Sequence, residues 1–229
     1  MTEVIPAILV ENFKELSEKL SLYSNIVSIV QIDVCDGNFV SFTSWPMNTN
    51  DEESLANILN EEEGIPHWDK LDFEFDLMIK NAHEHFEFFI RLGAKRVIFH
   101  IEAEDDIKKF KEFLEGIDMY IRENVEIGIA LNTTTPLDEI KIIISNIDFV
   151  QCMGIEKIGS QGQPFDERVL KQISSLRNKY PEIIISVDGS VNENTAPALV
   201  KAGANRLVIG SAFNESLDLR ESIEKFQLL

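Results

Sequence analysis

Strand-like and helix-like segments alternate along the whole of this 229-residue chain, eight of each. Strict alternation predicts parallel strands joined by crossover helices. Eight pairs are what a closed (β/α)8 TIM barrel needs, and the length is close to the roughly 250 residues typical of one. An open doubly wound sheet would show the same alternation. No Gly-, Pro- or Ser-rich linker interrupts the chain, so residues 1–229 are expected to form a single α/β domain.

The strand candidates are apolar, β-branched runs of the kind that parallel sheets bury on both faces. In order they are IPAIL (5–9), IVSIVQIDV (26–34), LDFEFDLMI (71–79), RVIFHI (96–101), VEIGIAL (125–131), DFVQCM (148–153), IIISVD (183–188) and RLVIG (206–210). The helix candidates between them repeat apolar residues at a 3.6-residue period. ENFKELSEKLSLY puts Phe13, Leu16, Leu20 and Tyr23 on one face. DEESLANILNEEE predicts a second helix. HEHFEFFIRLGA predicts a third, with Gly93 as its stop. DDIKKFKEFLEGI, PLDEIKIIISN, DERVLKQISSLRNKY, NTAPALVKAGA and ESLDLRESIEKF follow the same pattern. The least regular part, about 41–70, is rich in Asn, Asp and Glu and is expected to be an enlarged βα connection with a helix inside it.

Composition narrows the partners. Hydrophobic residues make up 44% of the chain, enough for a sizeable core. The net charge of −19 argues against nucleic acid and anionic membranes, which select for Lys and Arg. An anionic metabolite remains compatible, because a local pocket can present backbone N–H groups. Two cysteines, Cys35 and Cys152, give no disulfide framework, and a reducing cytoplasm is the expected compartment. The opening MTEVIPAILVENFKE has no basic leader, and no run approaches a membrane span.

In a parallel barrel the chemistry sits at the C-terminal ends of the strands. Asp33 lies there on the second strand, Asp76 near the end of the third and Asp188 at the end of the seventh. Two carboxylates on one rim can act as acid and base on opposite faces of a bound molecule. Several together can hold a divalent cation through oxygen. Taken singly, Asp33 and Asp188 would also serve as turn initiators before glycine, and Asp76 as one half of an ion pair. The last two strands end in Asp188-Gly189-Ser190 and Gly210-Ser211, and small residues before a helix suit a phosphate. The sixth loop, GIEKIGSQGQPF, carries Gly159 and Gly162 and has the length of a mobile flap. His83 and His85 sit two apart on a helix and point to different sides, while His100 reads equally as pocket-lining or structural. Met78 and Met153 read first as core, near the rim.

These strings in this order resemble the ribulose-phosphate 3-epimerases. The likeness runs from IPAIL and ENFKEL through QIDVCDGNFV, FEFDLMIKNA and VIFHIEAE. It continues through IGIALNTTTPLDEI, the Met153 loop and ISVDGSVNENTAPALVKAGA to RLVIGSAF. The resemblance implies a barrel of the ribulose-phosphate-binding type acting on a small ketose phosphate, with self-association into a homo-oligomer. It implies inversion at C3 through an enediolate, with Asp33 and Asp188 exchanging the roles of base and acid. Met78 and Met153 would keep the enediolate dry. Gly189, Ser190, Gly210 and Ser211 would carry the phosphate under a loop holding Gly159 and Gly162.

A divalent metal ion is also implied, and here the chain departs from the family pattern. Gln31 and Asp76 stand where the family has histidine ligands. Ala7 replaces a serine, Cys35 a methionine, and Ser190 a glycine. Gln31 as a carbonyl donor, with Asp33, Asp76 and Asp188, makes an oxygen-rich set that suits Mg²⁺ or Mn²⁺ better than Zn²⁺. Without a cation, three neighbouring acids would repel, and at least one pKa should rise. The competing class is a catalytically impaired relative that binds a sugar phosphate as a regulator or assembly partner. A decarboxylase of the related phosphate-binding barrels would want a lysine among the acids of the third strand, and 72–76 has none.

Overall fold

The computed structural model describes residues 2–48, 51–159, 162–214 and 216–229. Eight parallel strands close into a barrel in sequence order, with β1 (Glu3–Ile8) pairing both β2 (Ile29–Cys35) and β8 (Arg206–Ile209). Between them run β3 (Asp72–Met78), β4 (Ala94–His100), β5 (Glu126–Leu131), β6 (Phe149–Met153) and β7 (Ile184–Asp188). Closure removes the open-sheet alternative. No helix among the described residues is long and apolar enough to cross a membrane.

Strand parity divides the core. Val30, Ile32 and Val34 of β2, Phe73, Phe75 and Leu77 of β3, and Val97 and Phe99 of β4 alternate outward into one large cluster beneath the helices. The inward residues are mixed: Ile98, Ala130, Phe149 and Met153 form one small apolar group and Ile5, Ala7, Ile29 and Val208 another. Polar side chains fill the rest of the interior. At the N-terminal end of the barrel, Arg96 and Arg206 bridge Glu3 and Glu126, and Arg96 also reaches the fully buried Glu74.

The helices are α1 (Phe13–Tyr23), α2 (Glu52–Leu59), α3 (Phe86–Arg91), α4 (Ile107–Gly116), α5 (Met119–Asn124), α6 (Arg168–Lys179), α7 (Ala196–Ala202), α8 (Ser211–Asn214) and α9 (Leu219–Gln227). Side chains of Asn12, Asp106, Asp118 and Asp218 accept from backbone N–H groups at the starts of α1, α4, α5 and α9. Gly93 ends the α3 segment in the left-handed region, as its position predicts.

Three expectations need correction. The helix predicted at 136–146 is a series of tight turns ending in a 3-10 turn at Ile144–Asn146. Its bonds are i to i+3, as in Glu139 N–H to Pro136 O and Ile143 N–H to Ile140 O. Its three consecutive isoleucines, 142–144, disfavour a regular α-helix. The segment at 83–94 opens as a 3-10 turn, Ala82–His85, before α3 begins. The extra helices α5 and α8 have no counterpart in the predicted set. The connection predicted at 41–70 joins β2 to β3 and contains α2; residues 49 and 50 lie outside the described part, as do residues 160 and 161 of the sixth loop, where a flap is expected.

Candidate active site

Parallel pairing in register carries three acids to one rim. Asp33 of β2 lies opposite Asp76 of β3, and Asp188 ends β7 beside Met153 of β6. One oxygen from each carboxylate lies within 4.8 Å of the others. Asp76 is fully buried, while Asp33 and Asp188 are half-buried and face a cavity. The same cavity is lined by Met78, Met153, Gly159, Gly162, Gly189, Ser190, Gly210 and Ser211. All the residues singled out for phosphate or substrate therefore share one space with Asp33 and Asp188. Gln31 and Asp76 lie outside its lining.

Gln31 sits between the two acids. Its Nε2 donates to Asp33 Oδ1 at 2.8 Å and to Asp188 Oδ2 at 3.0 Å. This corrects the expected carbonyl ligand: the amide turns its N–H end to the acids, because a carbonyl oxygen there would face two carboxylates. Its Oε1 is buried with no hydrogen-bond partner among the described residues.

The electrostatics follow from crowding. Burial, together with the charge of Asp76, pushes the Asp188 carboxyl up to about 7 despite the Gln31 hydrogen bond. Burial and the neighbouring Asp188 and Asp76 raise Asp33 well above the carboxylate range. Asp76 accepts from His100 Nε2 at 3.0 Å and from Gln151 Nε2 at 3.2 Å. Burial alone would lower the His100 pKa, but the Asp76 charge and hydrogen bond outweigh it and the net direction is up. Three carboxylates whose oxygens lie this close together, two of them, Asp33 and Asp188, with raised proton affinity, are what a divalent cation fits, since its charge offsets their mutual repulsion.

Sequence reasoning left His100 undecided and did not single out Gln151. Strand parity carries the missing signal: Asp76 pairs with Ile98, so His100 follows two residues on along the same face. Asp36, which follows β2, is structural, accepting from the backbone N–H groups of Asn38, Phe39 and Lys80. Cys35 and Cys152 are free and buried, and Cys35 Sγ lies 4.0 Å from Met78 Sδ.

The sixth and seventh loops are tied together. Gly154 donates to Asp188 O at 2.6 Å and accepts from Asp166 N at 2.8 Å. A Cβ on Gly154 would lie 2.1 Å from Gly189 O, so only glycine fits. Ser190 holds φ +54°, a left-handed conformation usually left to glycine. Its Oγ donates to Gln163 O at 2.5 Å, and its carbonyl accepts from Thr195 Oγ1 and Asn192 Nδ2. The hydroxyl is thus engaged with the sixth loop at Gln163. Ser190→Ala keeps the strained backbone and loses the bond, and is expected to cost about 1–2 kcal/mol in urea unfolding. Ser190→Gly loses the bond but relieves the strain, and should stay within about 0.5 kcal/mol of the parent.

Comparison with known proteins adds to this geometry. A sequence profile described as the Ribulose-phosphate 3 epimerase family matches residues 3–214. The ribulose-phosphate 3-epimerase of Bacillus subtilis (strain 168) is 28% identical, over 99% of this chain and 99% of its own. The chloroplastic ribulose-5-phosphate-3-epimerase of Arabidopsis thaliana is 30% identical, over 96% of this chain and 74% of its own. Among solved structures, a 3-hexulose-6-phosphate synthase superposes with TM-score 0.67 at 18% identity, covering 100% of this chain and 99% of that one. KGPDC from Streptococcus mutans gives TM-score 0.68 at 14% identity, with 99% and 96% covered. At those identities the structural likeness speaks to the barrel alone.

Proposed function

The chain belongs to the ribulose-phosphate 3-epimerase family, and from that premise we propose that it inverts C3 of a small ketose phosphate with Asp33 and Asp188 as the acid–base pair. The observation that carries the reading is the pair itself. Both carboxylates line one cavity, come from strands β2 and β7, and accept hydrogen bonds from the same Gln31 Nε2.

The hydrogen on C3 of such a sugar is acidified by the C2 carbonyl. One aspartate, ionised, takes that proton on one face; the other, protonated, returns a proton to the opposite face of the enediolate. The two then stand in exchanged protonation states, ready for the reverse direction. The chemistry needs one carboxyl of the pair to carry a proton while the other is ionised, and without a cation burial and the charge of Asp76 hold the Asp188 carboxyl at about 7. Met78 and Met153, both buried, close the reacting carbons off from water. Gly189, Ser190, Gly210 and Ser211 form the wall that receives the phosphate, the backbone N–H groups of the last three pointing to it while that of Gly189 holds the Asp188 carboxylate, with the loop that holds Gly159 and Gly162 above it.

Asp33, Asp76 and Asp188 are the residues that would hold a divalent cation, and their oxygens favour Mg²⁺ or Mn²⁺ over Zn²⁺. Such an ion supplies electrophilic stabilisation of the charge that develops on the sugar oxygens.

The replaced ligands Gln31 and Asp76 support a second reading, a sugar-phosphate binder without turnover. Incubation with ribulose 5-phosphate and hexulose phosphates in D₂O, with Mg²⁺, with Mn²⁺ and with neither, separates the two. Deuterium at C3 is the expected result. Phosphate-dependent binding with no exchange under any of these conditions would overturn the epimerase reading.

A further inference from the structure

We infer that His100 is a positioning residue that orients the Asp76 carboxylate toward the acid cluster; this rests on the proposed use of that cluster to hold a cation. His100 ends β4 and is fully buried, with Nε2 donating to Asp76 Oδ1 at 3.0 Å. Gln151 of β6 donates to the other oxygen at 3.2 Å. Each carboxylate oxygen thus has one donor and keeps further lone-pair capacity. The ring of His100 packs against Phe39 at a centroid distance of 5.5 Å, and its Nδ1 is buried with no hydrogen-bond partner among the described residues.

The clamp answers a physical problem at this position. Asp76 lies in register with Asp33 and close to Asp188, and both repel it. A carboxylate on a short side chain relieves such repulsion by turning away. Donors from β4 and β6 oppose that turn and hold Asp76 within reach of the other two acids. In many metal sites a carboxylate orients a ligating imidazole; here the imidazole orients the carboxylate. His100 does not line the cavity, so whatever it contributes passes through Asp76.

The test uses the full chain and Mn²⁺ alone as the probe, with free Mn²⁺ followed by electron paramagnetic resonance. His100→Leu keeps bulk and removes the donor, and should weaken Mn²⁺ binding about 10–100-fold. His100→Gln places an amide N–H near the original Nε2 and should stay within about threefold of the parent, which a purely packing role would not produce. In an Asp76→Asn background, His100→Leu should cost no more than about twofold further, because its effect runs through Asp76. If His100→Leu does not fold, His100→Asn, too short to reach Asp76, takes its place against His100→Gln. A leucine or asparagine variant that binds Mn²⁺ as the parent does, equal losses in His100→Gln, or full additivity with Asp76→Asn would each overturn the inference. So would a wild-type chain that holds no Mn²⁺, in which case the deuterium exchange still judges the reaction. Mn²⁺ held without exchange instead overturns the epimerase reading, and the role of His100 is then read from the titration alone.

Discussion

Asp188→Asn is expected to lower the rate of the proposed C3 inversion by about 10³-fold, and Asp33→Asn to do the same, with KM for the sugar phosphate nearly unchanged in each. An amide matches the carboxylate in shape but neither takes nor returns a proton at the reacting carbon. The Gln31 amide fits an asparagine oxygen as it fits an aspartate oxygen, so the Asn variants keep that bond. In the proposed reaction the two losses arise on opposite faces of the sugar. Each variant should therefore retain slow exchange of C3 hydrogen in one epimer, and the retained epimer should differ between them. Stereochemical analysis of the deuterated products reads this directly. Inversion within about tenfold of the parent in either variant would remove that residue from the acid–base pair. Thermal unfolding checks the fold, and neither variant should be less stable than the parent above neutral pH. Each lacks a buried charge that its neighbours oppose.

The barrel was legible because parallel strands buried on both faces read as apolar runs, and all eight runs became strands. Asp33 and Asp188 were legible for a related reason: an acid at the end of such a run has nowhere to go but the rim. The segment at 136–146 misled because its apolar spacing suits a helix while its isoleucine run and tight turns do not. The direction of the Gln31 amide was hidden, since it depends on Asp188, which lies 157 residues away in the chain. The His100–Asp76 contact needed the register of β3 against β4, which no single strand encodes. The same holds for the charged layer at the far end of the barrel. Glu3, Glu74, Arg96, Glu126 and Arg206 come from five strands and look like scattered surface charges until the sheet closes.

That charged layer and the active site together make stability fall as pH rises in the presence of a chelator. Glu74 is fully buried, and burial lifts its carboxyl to about 7 against the pull of Arg96 and Arg206. Asp188 stands at about 7 for burial and the charge of Asp76. Both values lie above those of the unfolded chain. The folded state thus keeps protons that the unfolded state releases between about pH 4 and 7. This contribution is fully present below the ordinary carboxylate range and is lost as pH rises through about 7. Raising Glu74 from 4.5 to about 7 corresponds to a loss on the order of 3 kcal/mol between about pH 5 and 8, as an upper bound. Urea unfolding with chelator at those two pH values measures it. Glu74→Gln should flatten part of the slope, because a neutral amide has no proton to lose. Mn²⁺ at about pH 8 should restore the Asp188 part and leave the Glu74 part, since among the described residues the acid cluster is the group whose carboxylate oxygens lie close enough to hold the ion. The net charge of −19 adds general repulsion of the same sign, which high salt screens while the buried groups keep their effect. Stability that holds level or climbs over this pH range in chelator and high salt would mean that both carboxyls are ionised at little cost, and the crowding that is proposed to tune Asp188 for proton transfer would be absent.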